Sequence, residues 1–215
     1  MVLQDRAQAT RDAIIAGAAS VFEDFGYGNA SLAQVADRAQ VTKGALYFHF
    51  RSKEDLALAV IEKQHNLTVG GAERILAEDA PALAAMIRMC GDFGQQLVKQ
   101  PVVRAGIRLT LEGPAFGHPV RKPYEDWVST MELLVRRAQD EGDIDSSIDP
   151  SELARYIVAS FTGVQMVSQV LTGRTDVMSR IHQMWVLILP GIMSDHRRAS
   201  SLIFANLIPV TASAQ

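Results

Sequence analysis

The run from Lys43 to His49 has the side chains best suited to contact a charged ligand. Lys43, Tyr47 and His49 carry hydrogen-bond donors, whereas Gly44 and Ala45 are small enough to let the backbone approach a partner closely. A helix N-terminus of this kind can approach the phosphates or base edges of DNA. A short surface helix with a solvated lysine and a half-buried tyrosine would contain the same residues, so the pattern leaves both interpretations open.

The sequence offers no comparable arrangement for catalysis or metal binding. Its five histidines have no repeated metal-ligand spacing with one another or with Cys90, the single cysteine. One cysteine also excludes an internal disulfide, and we expect it to be a small buried hydrophobic residue. Glycine-rich phosphate loops and the GxSxG and HExxH motifs are absent. We therefore expect neither a cofactor nor an enzyme; an enzyme would convert its ligand rather than only bind it.

The composition is that of an ordinary globular protein with room for two domains. Hydrophobic residues make up 48% and charged residues 21%, and the net charge of -3 argues against a protein that coats nucleic acid generally. Residues 1–53 contain six basic and five acidic residues, so this segment is weakly positive. No apolar stretch approaches the roughly 20 residues that cross a bilayer, and no signal peptide is evident. We therefore expect a cytoplasmic protein.

Helix signals follow one another closely in the first 50 residues. Apolar residues at helical spacing predict a first helix over about 6–25, with Gly26 as a left-handed C-cap. Ser31 and Gln34 form a capping-box pattern that opens a second, two-turn helix. Thr42 can cap a third helix of about seven residues.

The remaining elements are also helical by pattern. Ser52 opens a longer helix that we expect to break at Gly70-Gly71. Further helices are predicted at about 73–77, 81–99 and 101–111, then, after a loop over Gly113–Pro119, from near Pro123 to Gly142, at 150–171 and at 176–193. Pro190 should kink or end the last of these. No segment alternates as a strand would, so the sequence predicts an all-α fold.

Three short helices, the second and third separated by a tight turn, are typical of a helix-turn-helix that puts its last helix into the major groove. Gly26-Tyr27, the Ser31–Ala39 helix and above all Val41–Phe50 (VTKGALYFHF) with Ser52-Lys53-Glu54 resemble the TetR DNA-binding domain. The resemblance implies Lys43 near base edges. The DNA contacts implied are Ser31, Thr42, Lys43, Gly44, Ala45, Tyr47, His49 and Lys53, with Tyr47, His49 and Lys53 mainly at phosphates and Ser31 capping its helix beside a phosphate.

Three features further along are similar to the γ-butyrolactone receptors of actinomycetes, so the resemblance spans nearly the whole chain. They are Pro101–Arg108 (PVVRAGIR), Trp127 and Gly163–Gln169 (GVQMVSQ). In that subfamily the effector is a small lactone or butenolide with an alkyl tail, which releases repressors of antibiotic genes. Such a ligand needs an apolar tunnel with a few donors and acceptors, because an unpaired buried polar group costs about 1–3 kcal/mol.

Polar side chains on otherwise apolar helix faces would supply those groups and converge on one ligand head group. The candidates are Gln64, the Trp127 indole and Ser160; the matching family position often carries Thr, and Thr162 is an alternative to Ser160. Candidates for the tunnel lining are Met89, Ile107, Phe161 and Val164. Core packing explains the apolar residues and Trp127 equally well, Gln64 could be solvated, and Ser160 could bond its own helix.

The sequence thus predicts a helix-turn-helix domain at residues 1–53 and an effector-binding and dimerisation domain at 54–215. As the family implies, the helices at 150–171 and 176–193 would form a homodimer contact. We expect a repressor that binds a near-palindromic operator and is released by a γ-butyrolactone or butenolide. A pseudo-receptor that responds to an antibiotic or its precursor, and an architectural DNA-binding protein without an effector, are the alternatives.

Overall fold

The structure, a computed structural model, describes residues 2–113 and 119–209. These ranges contain helices and no strand, with a single isolated bridge between Ile144 and Met193, which confirms the all-α prediction. The α-helices are α1 (Val2–Asn29), α2 (Leu32–Arg38), α3 (Lys43–His49), α4 (Lys53–Leu76), α5 (Ala82–Lys99), α6 (Pro101–Leu111), α7 (Lys122–Asp140), α8 (Pro150–Thr172), α9 (Val177–Ile192) and α10 (Ser201–Ala205).

The chain divides into two compact units. The first, here the N-terminal unit, comprises residues 1–69 and 99–121, and the second, the C-terminal unit, comprises residues 70–98 and 122–215. The N-terminal unit therefore contains α1–α3, most of α4, and α6 from much further along the sequence. Ala105 and Leu109 of α6 are fully buried in the same apolar core as Leu46 of α3.

Helix α1 is longer than predicted, since it begins at Val2 and continues to Asn29. Its apolar stripe is buried as expected, with Ile14 and Phe22 fully inaccessible. Gly26 interrupts the helix with φ 72° and ψ 175°, so its φ is positive but it is not the left-handed C-cap that we expected. The extended ψ turns the next amide outward, and Tyr27 N–H donates to the Glu112 carboxylate at 2.7 Å.

The predicted break at Gly70-Gly71 is wrong, because α4 continues through both glycines to Leu76 and absorbs the helix predicted at 73–77. A Cβ atom on Gly71 would collide with the Asp92 carboxylate, whereas Gly70 has open space around it. Gly71 therefore lets Asp92 of α5 approach the backbone of α4. Helical hydrogen bonding tolerates glycine at a cost of about 1 kcal/mol relative to alanine, which packing can offset.

The later helices agree with the sequence prediction to within a few residues. Gly173 ends α8 in the left-handed conformation (φ 60°, ψ 30°), and Asp149 caps its start by accepting from Glu152 N–H at 2.9 Å. Pro190 lies in the last turn of α9, which ends two residues later. The short 3₁₀ helix Asp195–Ser200 and α10 were not predicted. Residues 114–118 of the predicted loop lie outside the described residues.

Replacing Gly106 by alanine should destabilise the protein by about 1–3 kcal/mol, because the added Cβ atom would overlap the Gln64 side chain, which lies against this glycine of α6. Gly70→Ala is the matched control, since nothing lies within 4 Å of that position; it should raise the free energy of unfolding by roughly 0.5–1 kcal/mol. Urea denaturation measures the free energy of unfolding of both variants, provided that its dependence on urea concentration is the same as in the unsubstituted protein. A Gly106→Ala protein as stable as the unsubstituted one would contradict the packing described.

Candidate DNA interface and effector site

The α1–α2 and α2–α3 connections set the direction of the third helix. Ser31 and Gln34 make the predicted capping box, with Ser31 N–H donating to Gln34 Oε1 at 2.9 Å and Gln34 N–H to Ser31 Oγ at 3.3 Å. The turn after α2 passes through Gln40, which has a φ of 55°, and Val41 N–H donates to Ala36 O at 3.0 Å. The tight turn expected of a helix-turn-helix is therefore present.

Helix α3 is held by a cap and one buried side chain. Thr42 Oγ1 accepts from Ala45 N–H at 3.1 Å, as predicted. Leu46 is fully buried, and Phe50 directly after the helix is 2% exposed. These contacts turn the other face of α3 outward, where Thr42, Lys43 and Gly44 are exposed.

Tyr47 and Phe48 form an exposed aromatic pair on this outward face. Tyr47 is 55% and Phe48 81% exposed, whereas His49 and Ala45 are half-buried. Phe48 was missing from the predicted DNA contacts, although its spacing of two residues from buried Leu46 puts it about 200° around the helix. An uncovered phenyl ring on a polar face is suited to apolar contact with a thymine methyl group.

Lys53 differs from the other predicted DNA contacts because its ammonium is engaged within the protein. Its Nζ donates to the backbone carbonyls of Tyr27, Gly28 and Ala30. Ser31, Thr42, Lys43, Gly44 and Tyr47 are all exposed, so the structure leaves this set open to a partner.

Two arginines of the PVVRAGIR segment attach α6 to the end of α1. Arg104 Nε lies 2.5 Å from Glu23 Oε1, and Arg108 Nη1 donates to the Glu23 carbonyl at 2.7 Å. Arg108 Nε also pairs with Glu112, whose other oxygen accepts from Tyr27. These bonds lie within the N-terminal unit, so this segment supports the helix-turn-helix as well as resembling the receptors.

The C-terminal unit contains a cluster of three aromatic side chains from α5, α7 and α8. The ring of Phe93 stacks on Trp127 at 5.5 Å between centroids and packs against Phe161 at 5.1 Å. The indole Nε1 of Trp127 is buried and has no hydrogen-bond partner among the residues described. An unpaired buried donor costs about 1–3 kcal/mol, so a ligand acceptor would relieve this cost.

Tyr124 and Thr162 form a hydrogen-bonded polar pair in this unit. Burial raises the pKa of Tyr124, and a hydrogen bond with the Thr162 hydroxyl opposes that shift in pKa. Thr162 also donates to Val158 O at 2.9 Å, while Ser160 is half-buried. Sequence reasoning missed Tyr124, although it lies three residues, about one helical turn, before Trp127 in α7. Met89 is 2% exposed and Val164 half-buried.

Gln64 and Ile107 belong to the N-terminal unit. Gln64 is 1% exposed, so it is not solvated. Its Nε2 donates to Thr68 Oγ1 at 3.3 Å, whereas its buried Oε1 accepts from no residue in the described ranges. Ile107 is half-buried.

Helices α8 and α9 of the C-terminal unit leave large apolar side chains uncovered. The most exposed are Val170 at 82% and Leu187 at 80%. The set, here the α8–α9 apolar face, is Tyr156, Met166, Val167, Val170, Leu171 and Leu187. Soluble proteins rarely leave large apolar patches exposed, so these side chains are candidates for an interface.

Two observations concern the metal-ligating side chains and the cysteine of the described residues. No group of three or more histidine, cysteine or acidic side chains there could hold a metal ion. Cys90 is buried, as predicted, and burial raises the pKa of its thiol to about 12. The thiol therefore stays protonated at neutral pH and is a poor nucleophile.

Two family descriptions match the chain. Residues 14–60 match "Bacterial regulatory proteins, tetR family", and residues 80–194 match "Tetracyclin repressor-like, C-terminal domain". The A-factor receptor protein of Streptomyces griseus is 38% identical over 192 residues, which are 89% of this chain and 67% of that protein. The chain belongs to the TetR family. It is thus a DNA-binding regulator, and the relatives with which it aligns are transcriptional regulators, not enzymes.

Solved structures extend the likeness of this TetR-family regulator along its length. A γ-butyrolactone receptor described as an ArpA-like protein superimposes with a TM-score of 0.81 at 32% identity, covering 94% of this chain and 98% of the receptor. The TetR-family protein CprB of Streptomyces coelicolor, solved with its biological operator sequence, gives 0.79 at 33% identity, covering 94% and 96%.

A separate observation concerns membranes. Across the described ranges of this TetR-family regulator, none of the helices combines the length and apolar character needed to cross a bilayer.

Replacing Thr42 by alanine should lower the free energy of unfolding by about 1 kcal/mol, because the Ala45 amide loses its side-chain acceptor at the start of a two-turn helix. Thr42→Ser keeps the hydroxyl and is the matched control. Thermal unfolding followed by circular dichroism measures both variants. Equal losses in the alanine and serine variants would show that the hydroxyl does not cap α3.

Proposed function

We propose that this protein is a ligand-responsive transcriptional repressor. A homodimer binds a near-palindromic operator and leaves it when each subunit binds a small γ-butyrolactone or butenolide. The targets proposed from the receptor resemblance are genes of secondary metabolism. Because it would bind the operator in the bacterial chromosome, we propose that it is cytoplasmic and nucleoid-associated. We also propose that it binds its effector without converting it.

The DNA side of the proposal rests on the outward face of α3. Lys43 is exposed at the helix N-terminus, where a cation can reach guanine O6 and N7. Tyr47 and Phe48 extend that face with a hydroxyl and an uncovered ring. A dimer would present two such helices about 34 Å apart, which is one turn of the duplex. Ser31, Thr42, Gly44, Ala45 and His49 complete the proposed interface.

The dimer itself is proposed to form through the α8–α9 apolar face. Removing apolar surface from water gains roughly 25 cal/mol per Å². Side chains such as Val170 and Leu187, which are at least 80% exposed in the single chain, gain most from such burial. The same pairing would set the distance between the two α3 helices.

The effector side is carried by one observation: the Nε1 donor of Trp127, within an apolar aromatic cluster, has no partner in the part of the chain that the structure describes. A lactone carbonyl accepts a hydrogen bond, and an alkyl tail is solvated by rings such as Phe93 and Phe161. Tyr124 and Thr162 offer hydroxyl groups on the helices that supply Trp127 and Phe161. Met89, Ser160 and Val164 are further proposed contacts.

Gln64 and Ile107 of the N-terminal unit are also proposed as effector contacts, because of the environment of their side chains in that unit. The Gln64 Oε1 atom is buried without a donor among the described residues, so an effector hydroxyl would satisfy it. Ile107 is half-buried and apolar, which suits an alkyl chain.

Release from DNA requires that the effector favour one conformation over another. Helix α4 begins at Lys53, four residues after α3 ends, and continues to Leu76. Because the two helices are joined by a short segment, a shift of α4 would also move α3. A preference of about 1.4 kcal/mol per site for the DNA-incompetent state, in two equivalent sites, would lower DNA affinity roughly a hundredfold.

Lys43→Ala should weaken operator binding by about 1–3 kcal/mol per subunit and leave effector binding unchanged, because the lysine is on the exposed face of α3 and packs in no core. The DNA probe is a duplex selected from a randomised pool by the unsubstituted protein. Fluorescence anisotropy measures its affinity. Operator affinity unaffected by the substitution would remove α3 from the interface.

Trp127→Phe should abolish tight binding of a synthetic γ-butyrolactone with an alkyl tail while operator affinity is retained, because only the indole supplies the Nε1 donor. The chain has two tryptophans, so Trp185→Phe makes Trp127 the sole indole and the matched control. In that control, titration with the lactone should shift the Trp127 fluorescence at saturation.

A matched series run with a butenolide and with antibiotics of the host separates the receptor from a pseudo-receptor. Saturable binding of an antibiotic with no response to either lactone would overturn the proposed effector class. Equal loss of operator and lactone binding in Trp127→Phe would instead point to misfolding, which thermal unfolding of the same sample checks. Conversion of the lactone would contradict a non-catalytic role.

A further inference from the structure

The Lys53 side chain, at the first residue of α4, folds back onto the segment that joins α1 to α2. Its Nζ lies 2.7 Å from Tyr27 O, 3.3 Å from Gly28 O and 3.1 Å from Ala30 O. It also lies 4.5 Å from the centroid of the Tyr27 ring. Four contacts therefore tie this lysine to a stretch of four residues.

These contacts use the full donor capacity of the side chain. An ammonium group has three N–H donors and no acceptor, and here each donor has one carbonyl. The carbonyls lie at and just beyond the end of α1, where helix carbonyls lack intrahelical partners and the helix dipole is negative. Bonds from a charged donor are about twice as strong as neutral ones, and a phosphate contact would require at least one of these three to be given up.

The same segment is also held by Glu112, the C-cap residue of α6. Tyr27 N–H donates to Glu112 Oε2 at 2.7 Å, and the Tyr27 ring stacks on Phe22 at 6.2 Å. Ser31, the N-cap of α2, follows Ala30 directly. Lys53 and Glu112 therefore both bind the segment that directly precedes Ser31, the residue that caps the start of α2.

We propose that Lys53 is a positioning residue of the DNA-binding unit: it holds the α1–α2 connection, and with it Ser31 and α2, and does not bind a phosphate of the operator. This inference rests on the proposed operator binding, and it departs from the phosphate role that the TetR resemblance implies for Lys53. The phosphate contacts of the interface then come from residues such as Ser31 and Tyr47, which are exposed.

The first test needs no DNA. In Lys53→Met, backbone amides of residues 27–34 should exchange hydrogen on the order of tenfold faster, because the segment loses three bonds from one cation. Lys63→Met is the matched control, since it removes a lysine of the same helix whose partner, Asp12, is 3.7 Å away and half-exposed. Exchange in Lys53→Met that equals the control would overturn the proposal.

The second test measures the salt dependence of binding to the selected duplex. A phosphate contact contributes a slope of about 0.9 in the logarithm of affinity against the logarithm of salt concentration, so losing one per subunit would lower a dimer's slope by about 1.8. We expect Lys53→Met to weaken binding roughly tenfold with the slope unchanged. A slope reduced by about 1.8 would identify Lys53 as a phosphate ligand.

Lys53→Arg tells the two roles apart if the methionine variant folds poorly. Arginine keeps the positive charge and binds phosphate well, but its planar guanidinium cannot direct three donors of one nitrogen to three carbonyls. Positioning therefore predicts weakened operator binding in Lys53→Arg, whereas full affinity would overturn it. If the unsubstituted protein selects no duplex, the proposed function fails, and hydrogen exchange in both variants still decides the role of Lys53.

Discussion

A helix of seven residues is too short to be stable alone in water, where even good helix formers need about 12–15 residues. Helix α3 therefore depends on the burial of Leu46 and Phe50 in the core that α1, α2 and α4 share. This burial also decides orientation. With one face of α3 committed to the core, Lys43, Tyr47 and Phe48 must face outward. Caps and neighbouring helices stabilise α3, but the buried leucine is what makes the exposed side chains available to a duplex.

The N-terminal unit includes α6, although the domain boundary predicted from the sequence would place this helix in the second domain. Ala105 and Leu109 of α6 are buried in its core, and Arg104 and Arg108 pair with the end of α1. Charged side chains from two distant segments, Lys53 and Glu112, hold the connection between α1 and α2. The domain boundary predicted at residue 53 stays a prediction, but helix-turn-helix geometry depends on residues well beyond it.

In the C-terminal unit, a buried indole N–H that has no acceptor among the described residues gives a physical reason to propose ligand binding there. The folded protein bears a cost of about 1–3 kcal/mol at Trp127 that an acceptor on a ligand would remove. Phe93 stacks on Trp127 and packs against Phe161, and a hydrogen bond is electrostatically stronger in such apolar surroundings than in water. Relief of this cost is comparable with the preference per site that the proposed release mechanism requires.

The sequence by itself determined the features whose partners lie within one helical turn. The capping box of Ser31 and Gln34 and the Thr42 cap were both predictable, because each bond spans three residues. Contacts between residues far apart in the chain were decided only by the tertiary structure. From the sequence, Gly71 was predicted to break a helix, but in the structure Asp92 packs against it within one. Lys53 was predicted to bind a phosphate, but its ammonium donates to three carbonyls of another segment. Glycine and lysine take their roles from whichever atoms approach them, and local spacing does not specify those atoms.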